Sequence, residues 1–266
     1  MSGAAPNAGA PRVLALFAHP DDAELLAGGT LALLAELGWR IDLAAMSPGD
    51  LGSATLDREA IAAIRREEGR RAAQLLKARW HCLEARDFAV VYGEELCRRA
   101  TALIRVVVPD LVLTHSPVDY LADHEETARI VAQACFAAPV RLYAASTGAD
   151  DEAPPTAAIP ELCYADPLEG IDRLGAPITP RFVVDIESTW PIKELLLQCH
   201  GSQRAWLAKQ HGSDDFIAQA RRFAAERGAL AGIALGEGWR PHLGHAFPRG
   251  GRLEKTLGRR CRTLAR

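Results

Sequence analysis

The stretch "VLALFAHPDDAE", Val13 to Glu24, changes character in its middle. Its first half, 13–18, is a short unbroken apolar run, the pattern of a strand buried on both faces. Its second half sets a histidine and three carboxylates around a proline, just before a new apolar segment. A buried strand that ends in charged residues and passes into a helix opens a βα unit. In open α/β sheets the strand C-termini form the edge where ligands bind.

The alternation continues along the chain. Residues 23–37 carry Leu26, Leu33, Leu34 and Leu37 at helical spacing, and "RIDLAAM" (40–46) reads as a second strand. The loop "SPGDLGS" leads to the strongest helix, 57–78, with Ile61, Ile64, Ala72, Leu75 and Leu76 opposite a charged face. Strands are expected at 80–85, 110–116, 141–145 and 181–186, and helices at 93–107, 123–137, 189–209 and 213–227. The pattern predicts an α/β fold: a Rossmann-like, doubly wound, mostly parallel sheet with helices on both faces and a C-terminal helical extension. The proline-rich stretch 148–180 breaks the rhythm and is too long for an idle connection, so it reads as a functional loop walling a pocket.

Composition narrows the function classes. Of 266 residues, 48% are hydrophobic and 24% charged, ordinary for a globular chain with a sizeable core. A net charge of −3 gives no reason to expect nucleic acid as a partner. The longest apolar runs fall well short of a membrane span. The six cysteines form no C-x-x-C pair, which suits reduced thiols. The N-terminal residues 1–11 lack the features of a secretory signal and read as a disordered lead-in, so the expected compartment is the cytoplasm. The basic stretch 248–266 reads as a solvated tail.

His19 and Asp22 fall at the end of the first strand, with Pro20 stiffening the turn between them. A histidine and a carboxylate at i and i+3 can grip one cation. On spacing alone the alternative is equally good: an Asx-turn or N-cap built on Asp21 or Asp22. A second cluster, "THSPVDYLADHEETARI" (114–130), brings His115, Asp119, Asp123 and His124 to the same edge. The glycines of "AGGT" (27–30) lie inside a helix rather than in a G-x-G-x-x-G turn, so close packing explains them better than dinucleotide binding.

"AHPDDAE" followed about a hundred residues later by D-x-x-x-D-H resembles the LmbE/PIG-L family of zinc-dependent N-deacetylases. "RREE" on the long helix, Asp87, and "VDIESTWPIKELLLQCHGSQ" (184–203) extend the resemblance over residues 12–247, which read as one domain. The resemblance implies one Zn2+ per chain held by His19, Asp22 and His124, with Fe2+ or Co2+ as other fitting ions. It implies that Asp21 is the general base acting on a zinc-activated water. Arg65 and Asp87 would contact substrate hydroxyls, and Asp123 would orient the ligand histidine beside it. The implied partner is a small N-acylated amino sugar or glycoconjugate, and the family leaves room for a homo-oligomer. Glu24 reads as an ordinary first-turn acid, favoured by the helix dipole.

The sequence departs from the family at one position. Where most members have histidine as the first residue of H-P-D-H, this chain has Leu121. That histidine stabilises the developing oxyanion, and losing one such donor costs about 10²–10³ in rate. Either another donor replaces it, with His242 or His245 expected ahead of His115 and Tyr120, or the chain is a zinc- and sugar-binding module with little turnover.

Overall fold

The computed structural model describes residues 9–145, 153–204, 206 and 216–264. Its strands are β1 (Arg12–Phe17), β2 (Arg40–Ala45), β3 (Arg79–Cys82), β4 (Leu111–Thr114), β5 (Glu161–Ala165), β6 (Phe182–Asp185), β7 (Gly236–Pro241) and β8 (Cys261–Thr263). The helices are α1 (Asp22–Glu36), α2 (Arg58–Leu75), α3 (Glu94–Val107), α4 (Ala122–Ala137), α5 (Trp190–Gln198), α6 (Phe216–Ala229) and α7 (Arg252–Leu257). One sheet joins the strands in the order β3-β2-β1-β4-β5-β7-β6-β8. Pairing is parallel from β3 through β5 and antiparallel across β5–β7, β7–β6 and β6–β8.

The opening stretch shows why the fold is doubly wound. Successive side chains of a strand point to opposite faces. Val13, Ala15 and Phe17 enter the layer built with α1, α2, α5 and α6, while Leu14 and Leu16 enter the layer built with α3 and α4. All five are fully buried, which is why the run is continuously apolar. α2 begins at Asp57, whose carboxylate accepts the Ala60 N–H at 2.8 Å.

Three expectations change. Residues 141–145 form turns rather than a strand; the fifth strand is β5, inside the stretch expected to be a loop. β7 runs through "GEGWRP" (236–241), whose glycines, glutamate and proline disguise a strand. The end of the chain is not a solvated tail: β8 pairs with β6, and Leu253 and Leu257 of α7 are buried. The helices expected at 189–209 and 213–227 appear as α5 and α6, with 205 and 207–215 outside the described residues. Residues 1–8 of the expected lead-in also lie outside them.

β7 is tied to α1 by a buried charge. The Glu237 carboxylate accepts the Gly29 and Thr30 N–H groups at 2.8 Å each and pairs with Lys193 Nζ of α5 at 2.6 Å. A Cβ on Gly29 would meet Ile186 at 2.6 Å, so this glycine permits the close packing expected of "AGGT". Glu237→Ala strands a buried ammonium and two amides. Chemical denaturation should show a loss of about 3–5 kcal/mol, partly recovered when Lys193→Met removes the orphaned charge as well.

Candidate metal and active site

The C-terminal ends of β1 and β4 supply the site. After β1 the chain turns through His19, Pro20 and Asp21 into α1, and Asp22 Oδ2 closes the turn by accepting the His19 N–H at 2.8 Å. Asp21 sits at the N-cap with φ 109°, a left-handed conformation that costs a non-glycine residue about 1–3 kcal/mol. Its side chain caps nothing and faces Arg65 Nη2 at 3.4 Å instead. Arg65 is buried, and its Nη2 also donates to the Pro20 carbonyl at 2.7 Å. Neither Glu67 nor Glu68 holds it: Glu68 accepts from the N–H and hydroxyl of Ser202 at 2.8 and 2.6 Å.

Asp22 Oδ2 is the hub. His19 Nδ1 lies 3.3 Å away, His115 Nε2 3.1 Å and His124 Nε2 3.6 Å. His115 stacks on His124 with ring centroids 3.8 Å apart. His124 Nδ1 is held by Asp119 Oδ1 at 3.0 Å, and the same oxygen accepts the N–H groups of Tyr120 and Leu121. Asp123 does not orient His124. Adjacent helical residues point apart, and Asp123 Oδ2 instead reaches His19 Nε2 at 3.3 Å. Its carboxylate also accepts the Phe88 and Val90 N–H groups. Asp87 Oδ1 stands 3.1 Å from the same imidazole nitrogen.

Electrostatics follow from this crowding. Burial pushes Asp21 up to about 6, against the pull of Arg65. Burial also opposes charge on Asp22, yet His124 and His115 hold it well below the usual carboxylate range. His19 and His124 resist burial and are raised, His19 by Asp123, Asp22 and Asp87, and His124 by Asp22 and Asp119. Burial and His124 depress His115 to about 4. The carboxylates therefore favour positive charge at the centre, on the imidazoles or on a bound cation.

Three groups among the described residues could hold one: His19–Asp22–His124, His115–Asp119–His124 and His19–Asp87–Asp123, each with ligand atoms within 4.8 Å of one another. Only the first has all three side chains in the wall of a cavity of about 680 Å³. Two imidazoles and a carboxylate suit zinc, and a set of three protein ligands would leave it room for a water. Asp21, Arg65, Asp87, Tyr120 and Leu121 line the same cavity, as do residues 168–169 and 171–173 of the proline-rich stretch.

His242 and His245 are not brought to the site. β7 runs antiparallel to β5, so the His242 N–H bonds Leu162 O near the start of β5, at the edge opposite the strand ends that carry His19 and His115. There its Nδ1 lies 2.6 Å from the Tyr164 hydroxyl, and His245 is exposed. Sequence reasoning also missed His200, fully buried with Nε2 3.1 Å from Glu24 Oε1. The "HGSQ" motif was the available signal.

The model of the PIG-L family, described as GlcNAc-PI de-N-acetylase, matches residues 14–135. The 4-oxalmesaconate hydratase of Pseudomonas putida is 30% identical over 212 residues, 73% of this chain and 74% of that one. The chain belongs to the PIG-L family. Diacetylchitobiose deacetylase of Thermococcus kodakarensis is 27% identical over 204 residues, covering 72% of this chain and 70% of the relative. The crystal structure of N,N'-diacetylchitobiose deacetylase from Pyrococcus horikoshii shares the fold, with TM-score 0.73 and 24% identity over 91% of this chain and 89% of that one. PIG-L relatives thus include both deacetylases and a hydratase.

Asp119 ties His124 to its turn, so Asp119→Ala should weaken Zn2+ affinity about 10–100-fold. Competition against a chromophoric chelator measures this, with far-UV circular dichroism confirming the fold.

Proposed function

We propose that the chain is a zinc-dependent hydrolase that removes an acetyl or other acyl group from the amide nitrogen of an amino sugar or sugar conjugate. The observation that carries this reading is the convergence of His19, Asp22 and His124 on one cavity wall with Asp21 beside them. Zinc held there supplies a Lewis acid and lowers the pKa of a bound water from 15.7 toward about 7. Asp21 takes the proton of the attacking water on a carboxylate oxygen and delivers it to the departing amine nitrogen. Arg65 fixes that carboxylate from behind, and its unpartnered buried Nε and the Asp87 carboxylate are available to substrate hydroxyls. Fe2+ and Co2+ fit the same ligands.

No helix of the described residues is long and apolar enough to cross a membrane. The six cysteines are unpaired, as expected of thiols in a reducing, cytoplasmic setting.

A second reading is favoured by Leu121 together with the hydratase relative: water added across an activated double bond of an oxo acid, with Asp21 taking the water's proton as its oxygen bonds to one carbon and returning that proton to the other. The test is amine release from a panel of N-acetylated amino sugars and conjugates with zinc present, run beside hydration of 4-oxalmesaconate. The hydrolase reading expects amine from at least one sugar. Asp21→Asn should retain zinc and lose about 10²–10⁴ in rate, and His19→Ala should lose the metal. Turnover of the oxo acid alone transfers the assignment to the hydratase reading, and silence toward both leaves a binding module.

A further inference from the structure

We propose that the Tyr120 hydroxyl is the hydrogen-bond donor that holds the substrate oxygen on which negative charge develops, in place of the imidazole absent at Leu121. Tyr120 and Leu121 stand in the same cavity wall as the three candidate ligands. The Tyr120 ring lies edge-on to His124, with centroids 5.2 Å apart and planes at 81°. Its backbone is pinned: Tyr120 N donates to Asp119 Oδ1 at 2.7 Å, the oxygen that also holds His124 Nδ1. One carboxylate thus holds the Tyr120 backbone and the His124 imidazole in a single frame.

The other donors are committed or misplaced. The His19 ring is taken up by Asp22, Asp87 and Asp123. The Nη groups of Arg65 serve Pro20, Gly49 and Asp21, its Nε is left to substrate hydroxyls, and Arg173 serves Glu125. His115 is fully buried, stacked on His124 and outside the cavity wall. Gln203, Trp206 and Gln219 line the cavity from segments that carry none of the three ligands. Tyr120 is 57% exposed and lines the cavity, which leaves its hydroxyl accessible to a bound molecule. A phenol shares its proton without giving it up, so the proton delivered to the leaving nitrogen still comes from Asp21. The identity of the held oxygen rests on the hydrolase reading.

The test has two arms, each with zinc content and melting temperature as controls. Methylphosphonate presents tetrahedral, negatively charged oxygens, and its binding to zinc-loaded protein is read by titration calorimetry. Tyr120→Phe should bind it about 10- to 100-fold more weakly than wild type, the loss expected for one hydrogen bond to a charged group. Leu121→His in the Tyr120→Phe background should recover affinity. Equal affinity in wild type and Tyr120→Phe, including no binding by either, overturns the proposal. On any sugar that wild type deacylates, Tyr120→Phe should lower kcat about 10²–10³-fold with KM little changed; an unchanged kcat also overturns it. If no sugar releases amine while the methylphosphonate difference persists, the hydrolase reading fails and the donor assignment stands.

Discussion

The site depends on one buried arginine. Arg65 reaches from α2 to the turn after β1, where it holds the Pro20 carbonyl and the Asp21 carboxylate. Without it, Asp21 would be a buried anion in a left-handed backbone conformation beside a second carboxylate. The pair adds little net stability, because desolvating both groups offsets much of their attraction. What it fixes is position. Three residues on, Glu68 clamps Ser202, and two residues before Ser202 the buried His200 returns to Glu24 on the first turn of α1. Arg65, Glu68, Ser202, His200 and Glu24 thereby close a buried polar circuit around the turn that carries His19, Asp21 and Asp22.

Sheet direction decides which residues join that turn. β4 runs parallel to β1, so the segment after it delivers His115, Asp119, Tyr120 and His124 to the same edge. β7 runs the other way and carries His242 to the opposite edge. Its contribution is mechanical: Glu237, Lys193 and the close contact at Gly29 anchor α1, whose first turn bears Asp22.

The parallel half of the fold was legible because its strands are buried on both faces and read as apolar runs, β1 most clearly. β5 and β7 were not. β7 carries a buried glutamate whose cation lies 44 residues away in sequence, a pairing that no local pattern reveals. β8 was hidden in a run of arginines, since an edge strand can leave its charges in solvent. In the site, His19 and Asp22 were visible as polar residues ending a buried strand, whereas selecting His124 needed the family resemblance. Asp123, expected beside His124, is adjacent to it in sequence and turned away from it in the helix toward His19, while Asp119 reaches His124 across the preceding turn. Leu121 was visible as a gap, but what could fill it depended on strand direction.

We propose that His19, Asp22 and His124 form the metal centre and that the two neighbouring groups only support it. Anomalous diffraction at the zinc edge from crystals of protein loaded with one equivalent of zinc tests this directly. A single peak is expected about 2.0–2.2 Å from a nitrogen of His19, an oxygen of Asp22 and a nitrogen of His124. A peak between His115 and Asp119, one between Asp87 and Asp123, or no ordered zinc at all would contradict it.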